Sequence, residues 1–137
     1  MRVTALLLLA IALAACKSSN STPTTSTPSG PFSATDLRVG TGAEAVNGRT
    51  VTVSYTLWLY DPSGPQGKGR QIESGTYAFV LGTGNAIRGW HDGILGMRVG
   101  GQRRLVIPPD RAYGSQRVGE IPPNSTLVFD VELVSVQ

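Results

Sequence analysis

A chain of 137 residues accommodates one domain of ordinary size. Its twelve Lys and Arg against nine Asp and Glu give a net charge of +3. From Ser33 onward the balance is ten to nine with no basic stripe or run, which argues against a nucleic-acid partner. One His and one Cys supply neither a zinc ligand set nor an intrachain disulfide, and nothing around the His resembles a nucleophile elbow. Covalent and metal chemistry are therefore not expected, nor is a cofactor.

Residues 1–16 read as a targeting segment. Arg2 supplies the positive start, and Val3 to Ala15 is an apolar run broken only by Thr4. It is shorter than the roughly 18–20 residues needed to span a bilayer. Leu13-Ala14-Ala15-Cys16 resembles the lipobox of bacterial lipoproteins, in which the Cys becomes the acylated N-terminus. Cys16 is thus the expected lipidation site. Residues 17–31 form a linker, twelve of whose 15 residues are Ser, Thr or Pro. Such a tract buries too little apolar surface to offset chain entropy. Its reach is about 50 Å fully extended. The resemblance implies a lipid-anchored protein of the bacterial cell envelope. Lys17, where inner-membrane retention calls for Asp, leans to a periplasm-facing outer-membrane location in a diderm host. In a monoderm host the location would be the outer face of the cytoplasmic membrane.

The domain is expected over residues 32–137. Leu37-Arg38-Val39 reads as a short strand, followed by turns at Gly40, Gly42 and Asn47-Gly48. Thr50 to Tyr60 is the clearest strand: Val51, Val53, Tyr55, Leu57 and Leu59 alternate with Thr52, Ser54, Thr56, Trp58 and Tyr60. Tyr55 falls mid-way along the apolar face, so its hydroxyl needs a partner or a cavity rim. Trp58 points the other way, with no evident role. Asp61 to Arg70, rich in Gly and Pro, reads as a loop. Gln71-Ile72-Glu73 reads as a brief strand, Ser74-Gly75 as a turn, and Thr76 to Leu81 as a further strand.

Ala86 to Met97 has helical spacing. Asn85 is a good N-cap type, and Ile87, Trp90 or His91, and Ile94 share one face. Gly89, Gly93 and Gly96 each cost such a helix about 1 kcal/mol relative to Ala. A helix with three glycines calls for tertiary support, such as close approach to a sheet. Its apolar face could close a core or floor a ligand cavity, and periodicity leaves both open. His91 is expected to be exposed. Gly82-x-Gly84 is not a dinucleotide fingerprint, because Ile87 stands where the third Gly belongs.

Gln102 to Ile107 reads as a strand with Arg103, Leu105 and Ile107 on one face, so that Arg103 and Arg104 point opposite ways. Pro108 to Asn124 is too long for a plain connection and rejoins a strand at each end, which predicts an ordered flap. Thr126 to Val136 closes the sheet, with Leu127, Phe129, Val131 and Leu133 facing in. Without βαβ repeats, the simplest architecture is α+β: an antiparallel sheet curled over one helix.

Four blocks in order carry a family resemblance. They are Ile87-Arg88-Gly89-Trp90 with Gly93 and Met97-x-Val99-Gly100; Arg104 to Pro109; Ala112-Tyr113-Gly114; and Ile121 to Leu133. Together, from about Asp36 to the C-terminus, the chain resembles the FKBP family of peptidyl-prolyl isomerases. The resemblance implies an antiparallel sheet of about five strands around one short helix, and a monomer acting on proline-containing polypeptides. Macrolide inhibitors are possible ligands. Tyr55, Glu73, Ile87, Trp90, Tyr113 and Phe129 fall at catalytic positions, and Ile72, Tyr77, Ala86 and Ile121 at substrate-binding ones. Trp90 would floor the proline pocket, Tyr55 and Phe129 would wall it, and the Ile87 N–H and Tyr113 hydroxyl would bond ligand carbonyls. Two departures stand out. Ile72-Glu73 replaces the usual Phe-Asp, and only Ser74-Gly75-Thr76 stands where a longer loop carrying an Arg is usual. The implied function is a membrane-tethered folding catalyst for exported proteins; the alternative is a binding or chaperone module on the same fold.

Overall fold

The computed structural model describes residues 31–137. The signal segment 1–16 with Cys16, and the linker up to residue 30, lie outside the described residues. The elements run β1 (Ser33–Arg38), β2 (Thr50–Tyr60), β3 (Lys68–Val80), α1 (Arg88–Ile94), β4 (Gln102–Ile107) and β5 (Leu127–Val136). The strands form one antiparallel sheet in the order β1-β4-β5-β2-β3. The expected α+β architecture, five strands and one short helix, is what the chain adopts.

Alternation decides which face of the sheet is core. Val51, Val53 and Leu57 of β2, Leu105 and Ile107 of β4, and Leu127, Phe129, Val131 and Leu133 of β5 are buried on the face that α1 covers. Burying each such side chain stabilises the fold by roughly 1.5–3 kcal/mol. From α1, Trp90 and Ile94 close this core. The helix glycines are explained by contact. A Cβ on Gly93 would lie 2.5 Å from Leu105 Cδ2, and one on Gly89 would strike Ile107. The helix thus lies close on β4, and the propensity lost at Gly89 and Gly93 is offset by packing that Ala would forbid.

The two adjacent arginines of β4 do face opposite ways. Arg103 turns to the helix side. Its Nη1 donates to the Gly93 and Leu95 carbonyls at 2.8 and 3.3 Å, and its Nε donates to Asp36 of β1 at 2.7 Å. It satisfies carbonyls that a helix C-terminus leaves without partners, and its charge suits the negative end of the helix dipole. Arg104 faces out and holds Asp130 through two bonds of 2.8 and 3.0 Å. Lys68 adds a third, at 2.8 Å, with its ammonium 3.9 Å from the centroid of the Trp58 ring. Trp58 therefore belongs to a small outer cluster that also covers Val128. Val128 points away from the main core yet is fully buried.

Several boundaries differ from the sequence reading. β1 starts at Ser33 rather than Leu37, because Ser33 to Asp36 pair with Arg103 to Val106. β3 is one strand of 13 residues, not two pieces around a turn. Ser74 and Gly75 pair with Thr56 and Tyr55, and local irregularity is taken up by register shifts at Trp58. Helix α1 is capped by Ile87, in extended conformation (φ −61°, ψ 148°), with no side-chain cap. Asn85 lies two residues before that cap, and its backbone carbonyl accepts the Tyr77 hydroxyl at 2.9 Å. His91 is half-buried rather than exposed. Its ring meets Phe79 edge-on with centroids 5.3 Å apart, and its Nδ1 accepts the Gly82 N–H at 2.9 Å.

Candidate active site

One cavity of about 620 Å³ opens between the sheet and α1. Trp90, 5% exposed, lies at its base because α1 turns that face to the sheet. Around the indole stand Tyr55 of β2 at 5.0 Å, Phe129 of β5 at 5.3 Å and Tyr77 of β3 at 6.0 Å between ring centroids, all steeply inclined to it. These are favourable edge-to-face arrangements. They leave a ring-lined recess whose walls come from three strands and whose floor is the helix. Phe79, 5.7 Å from Trp90, backs the indole from within the core.

Polar groups join the rings in the lining: the Tyr55, Tyr77 and Tyr113 hydroxyls, the Glu73 carboxylate, Asn85 and Arg88. The Tyr55 hydroxyl donates to Glu73 Oε1 at 3.0 Å across β2 and β3. Burial first, then the Glu73 carboxylate, pushes the Tyr55 hydroxyl up to about 12, so it stays a proton donor throughout the neutral range. The Glu73 carboxylate makes no other hydrogen bond and no ion pair among the described residues. Tyr113, on the flap, is also raised, by burial and then by Glu73 and Tyr77. Its hydroxyl makes no hydrogen bond among the described residues. The Ile87 N–H, preceding the first helical turn, is likewise without a partner there. Tyr113 and Ile87 thus offer the cavity two available donors.

Most of the residues singled out from sequence meet here: Tyr55, Glu73, Tyr77, Ala86, Ile87, Trp90, Tyr113 and Phe129 all line the cavity. Ile72 and Ile121 do not. Ile72 packs on the core beside the β3 register shift. Ile121 is 5% exposed and anchors the flap through reciprocal backbone bonds with Val118 at 2.8 and 3.1 Å. The sequence reading missed Arg88 and Ala112, and the Gly84-Asn85 turn, which complete the lining. Arg88 stands inside the Ile87–Trp90 block and is the first residue of α1, at the mouth of the helix beside the cavity. Arg88 and Arg111 both reach Asp92, at 3.7 and 3.2 Å, linking the helix to the base of the flap. Among the described residues no group of three or more His, Cys, Asp or Glu stands close enough to hold a metal.

The family model for FKBP-type peptidyl-prolyl cis-trans isomerase matches residues 42–134. An FK506-binding protein of Neisseria meningitidis is 42% identical over 102 residues, covering 74% of this chain and 92% of that protein. A chloroplastic peptidyl-prolyl cis-trans isomerase of Arabidopsis thaliana, FKBP16-4, is 44% identical over 107 residues, 74% of this chain but 46% of its own length. Among solved structures, FkpA from Escherichia coli superposes with a TM-score of 0.65 at 36% identity, covering 77% of this chain and 48% of that one. The chain therefore spans about half the length of some of these relatives.

Proposed function

Since this chain belongs to the FKBP-type peptidyl-prolyl cis-trans isomerase family, we propose that it isomerises Xaa-Pro bonds of polypeptides in the cavity over Trp90. The observation that carries this reading is the aromatic recess itself, with Tyr55, Tyr77 and Phe129 around a buried indole and two available donors at its edge.

The peptide C–N bond resists rotation by about 18–20 kcal/mol because of its partial double-bond character. Twisting it breaks the resonance and moves charge off the carbonyl oxygen. A recess of rings offers the planar, polar amide no replacement for water and so favours the less polar twisted form. The Ile87 N–H and Tyr113 hydroxyl are positioned to hold the flanking carbonyls, so binding energy goes into orientation around the rotating bond. Glu73, through Tyr55, fixes one wall. Nothing in this scheme requires a nucleophile or a proton transfer. A protease-coupled assay on tetrapeptides of the Xaa-Pro type tests it, and no rate above the uncatalysed one would leave only the binding-module reading.

The tether is part of the same proposal. The apolar run to Ala15, the lipobox-like Leu13 to Cys16 and the polar tract that follows support lipidation of Cys16 and display of a monomeric domain in the bacterial envelope, acting on exported proteins. Radiolabelled fatty acid incorporated into the wild type and lost in Cys16→Ser is the expected result. Relatives named for FK506 binding support macrolides as ligands of the Trp90 recess.

A further inference from the structure

We propose that the free edge of β3 is a docking rail, on which the client segment flanking the proline pairs as a sixth, antiparallel strand. This rests on the isomerase reading and adds to it where the rest of the client goes.

The two ends of the sheet differ. β1 is six residues long, carries Asp36 and Arg38, and has a register shift between them. Short length, charge and irregularity are the usual means of making an edge unattractive to another strand. β3 has 13 residues, and Glu73 to Ala78 are all exposed in succession. From Ser74 to Ile87 the chain has neither a charge nor a proline. None of the usual protections is present along that stretch.

The hydrogen-bond phase of this edge follows from its end. Leu81 donates to Arg49 O and accepts from Gly48 N–H, both at 2.9 Å, so its two backbone groups point toward β2. Register between β2 and β3 is unbroken from Thr50↔Val80 to Leu57↔Glu73. In an antiparallel ladder the direction alternates residue by residue. Phe79, Tyr77, Gly75 and Glu73 therefore bond to β2, and Ser74, Thr76 and Ala78 present N–H and C=O outward. Val80 fits the phase: its outward carbonyl accepts the Thr83 hydroxyl at 2.7 Å. No partner for the outward groups of Ser74, Thr76 or Ala78 is found among the described residues.

This phase suits a proline. Glu73 and Tyr77, whose side chains line the cavity, and Gly75 between them on the same face of the sheet are the residues whose backbone does not reach outward. An added strand follows the same rule. A client residue opposite Gly75 or Tyr77 turns its side chain to the cavity face and its own N–H away from β3. Proline, which has no N–H, loses no ladder bond there, while the residues on either side of it bond to Thr76 and its neighbours. Gly75 leaves room on that face, since a Cβ there would come no nearer than 3.8 Å to the Tyr55 hydroxyl. The same strand that supplies Glu73 and Tyr77 to the cavity thus continues as its rail, which is why an extended client is the fitting occupant.

The test compares kcat/KM on an Ala-Xaa-Pro-Phe tetrapeptide and on ten-residue peptides extended on either side of that proline. The long peptides should gain over the tetrapeptide with the wild type, and Thr76→Pro should abolish about 2- to 10-fold of that gain, the loss expected for one hydrogen bond. Thr76→Val, which keeps the backbone donor, should retain it. Thr76→Pro should fold, because that N–H serves no ladder bond. If it does not, long peptides N-methylated one residue at a time give the same answer with the wild type. Losses should alternate with a period of two along the segment flanking the proline. Equal turnover of long and short peptides, or losses without alternation, would overturn the rail while leaving the isomerase reading intact. Turnover of neither peptide would defeat the isomerase reading first. A dimer that Thr76→Pro dissociates would mean that a second copy of the chain occupies the edge, and would also overturn the proposal.

Discussion

Tyr55 and Glu73 are joined across neighbouring strands by a 3.0 Å hydrogen bond in which the phenol donates to the carboxylate. The Tyr55 ring is also one wall of the recess over Trp90, 5.0 Å from the indole. The carboxylate is rooted in the exposed edge strand β3 and reaches inward to the phenol. In Glu73→Gln the acceptor remains and the negative charge goes. The Tyr55 hydroxyl, pushed up to about 12 by burial and by Glu73, should then titrate lower but stay above the free value, since burial persists. Ultraviolet difference titration of tyrosinate, wild type against variant, reads this directly. Stability linked to Tyr55 should be intact below pH 10 and fall as the pH rises toward 12, because the unfolded chain loses that proton first. An unchanged titration in Glu73→Gln would mean that burial alone sets the shift.

Tyr113→Phe removes a hydroxyl that has no partner within the described residues and leaves the ring. Folding stability should change little, whereas peptide kcat/KM and macrolide affinity should fall about 2- to 12-fold, the equivalent of one hydrogen bond of roughly 0.5–1.5 kcal/mol. The result against this is equal activity and equal inhibitor affinity in both proteins.

Trp90→Ala should act on stability as well as on activity. The indole touches four aromatic rings and is almost fully buried. Emptying such a site costs roughly 3–5 kcal/mol. Urea unfolding gives the stability loss, and Trp90→Phe should recover part of it.

On the opposite face, burial raises the Asp130 carboxyl, but bonds from Arg104 and then Lys68 outweigh it and hold the group below the usual carboxylate range. A depressed carboxyl stabilises above its unfolded pKa, about 3.9, and that contribution disappears as pH falls through the folded value. The wild type should therefore lose stability on acidification below about pH 4 more steeply than Asp130→Asn, with little change in the peptide assay at neutral pH. Urea midpoints from pH 3 to pH 7 decide it, and parallel curves would remove Asp130 from the acid response.

Gly93→Ala should destabilise by about 1–3 kcal/mol despite the better helix propensity of Ala, because the new methyl meets Leu105. Pairing it with Leu105→Ala should recover part of the loss, since the clash is removed although a core methyl cluster is given up. Thermal melts of the single and double variants separate the two effects.

What the sequence made legible was periodic. β2 and β4 were found to the residue, and β5 to within one, because alternation over a half-buried sheet leaves a direct mark. β3 was broken in two because Ser74-Gly75 reads as a turn; pairing with Thr56 and Tyr55 carries the strand through, and that pairing is not a local property. The helix start failed similarly. Asn85 has the chemistry of a cap, but the helix starts after Ile87, two residues further on, so its side chain is out of place for the first turn. Of the site, the aromatic positions came from motif blocks. The reach of Glu73 to Tyr55 and the place of Arg88 beside the cavity depend on geometry that spacing does not encode.

The contact of Arg103 with both Asp36 and the last carbonyls of α1 bears on where this domain can be cut. A fragment trimmed to the stretch that the family shares, 42–134, would keep every residue lining the recess. It would nevertheless discard β1, strip β4 of one neighbour, and leave a mostly buried guanidinium without its carboxylate, so that Arg103 would hold the end of the helix while itself unbalanced. The smallest piece that works as the whole domain does should start no later than Ser33. For anyone truncating this chain, the family boundary is a misleading guide to the folding boundary.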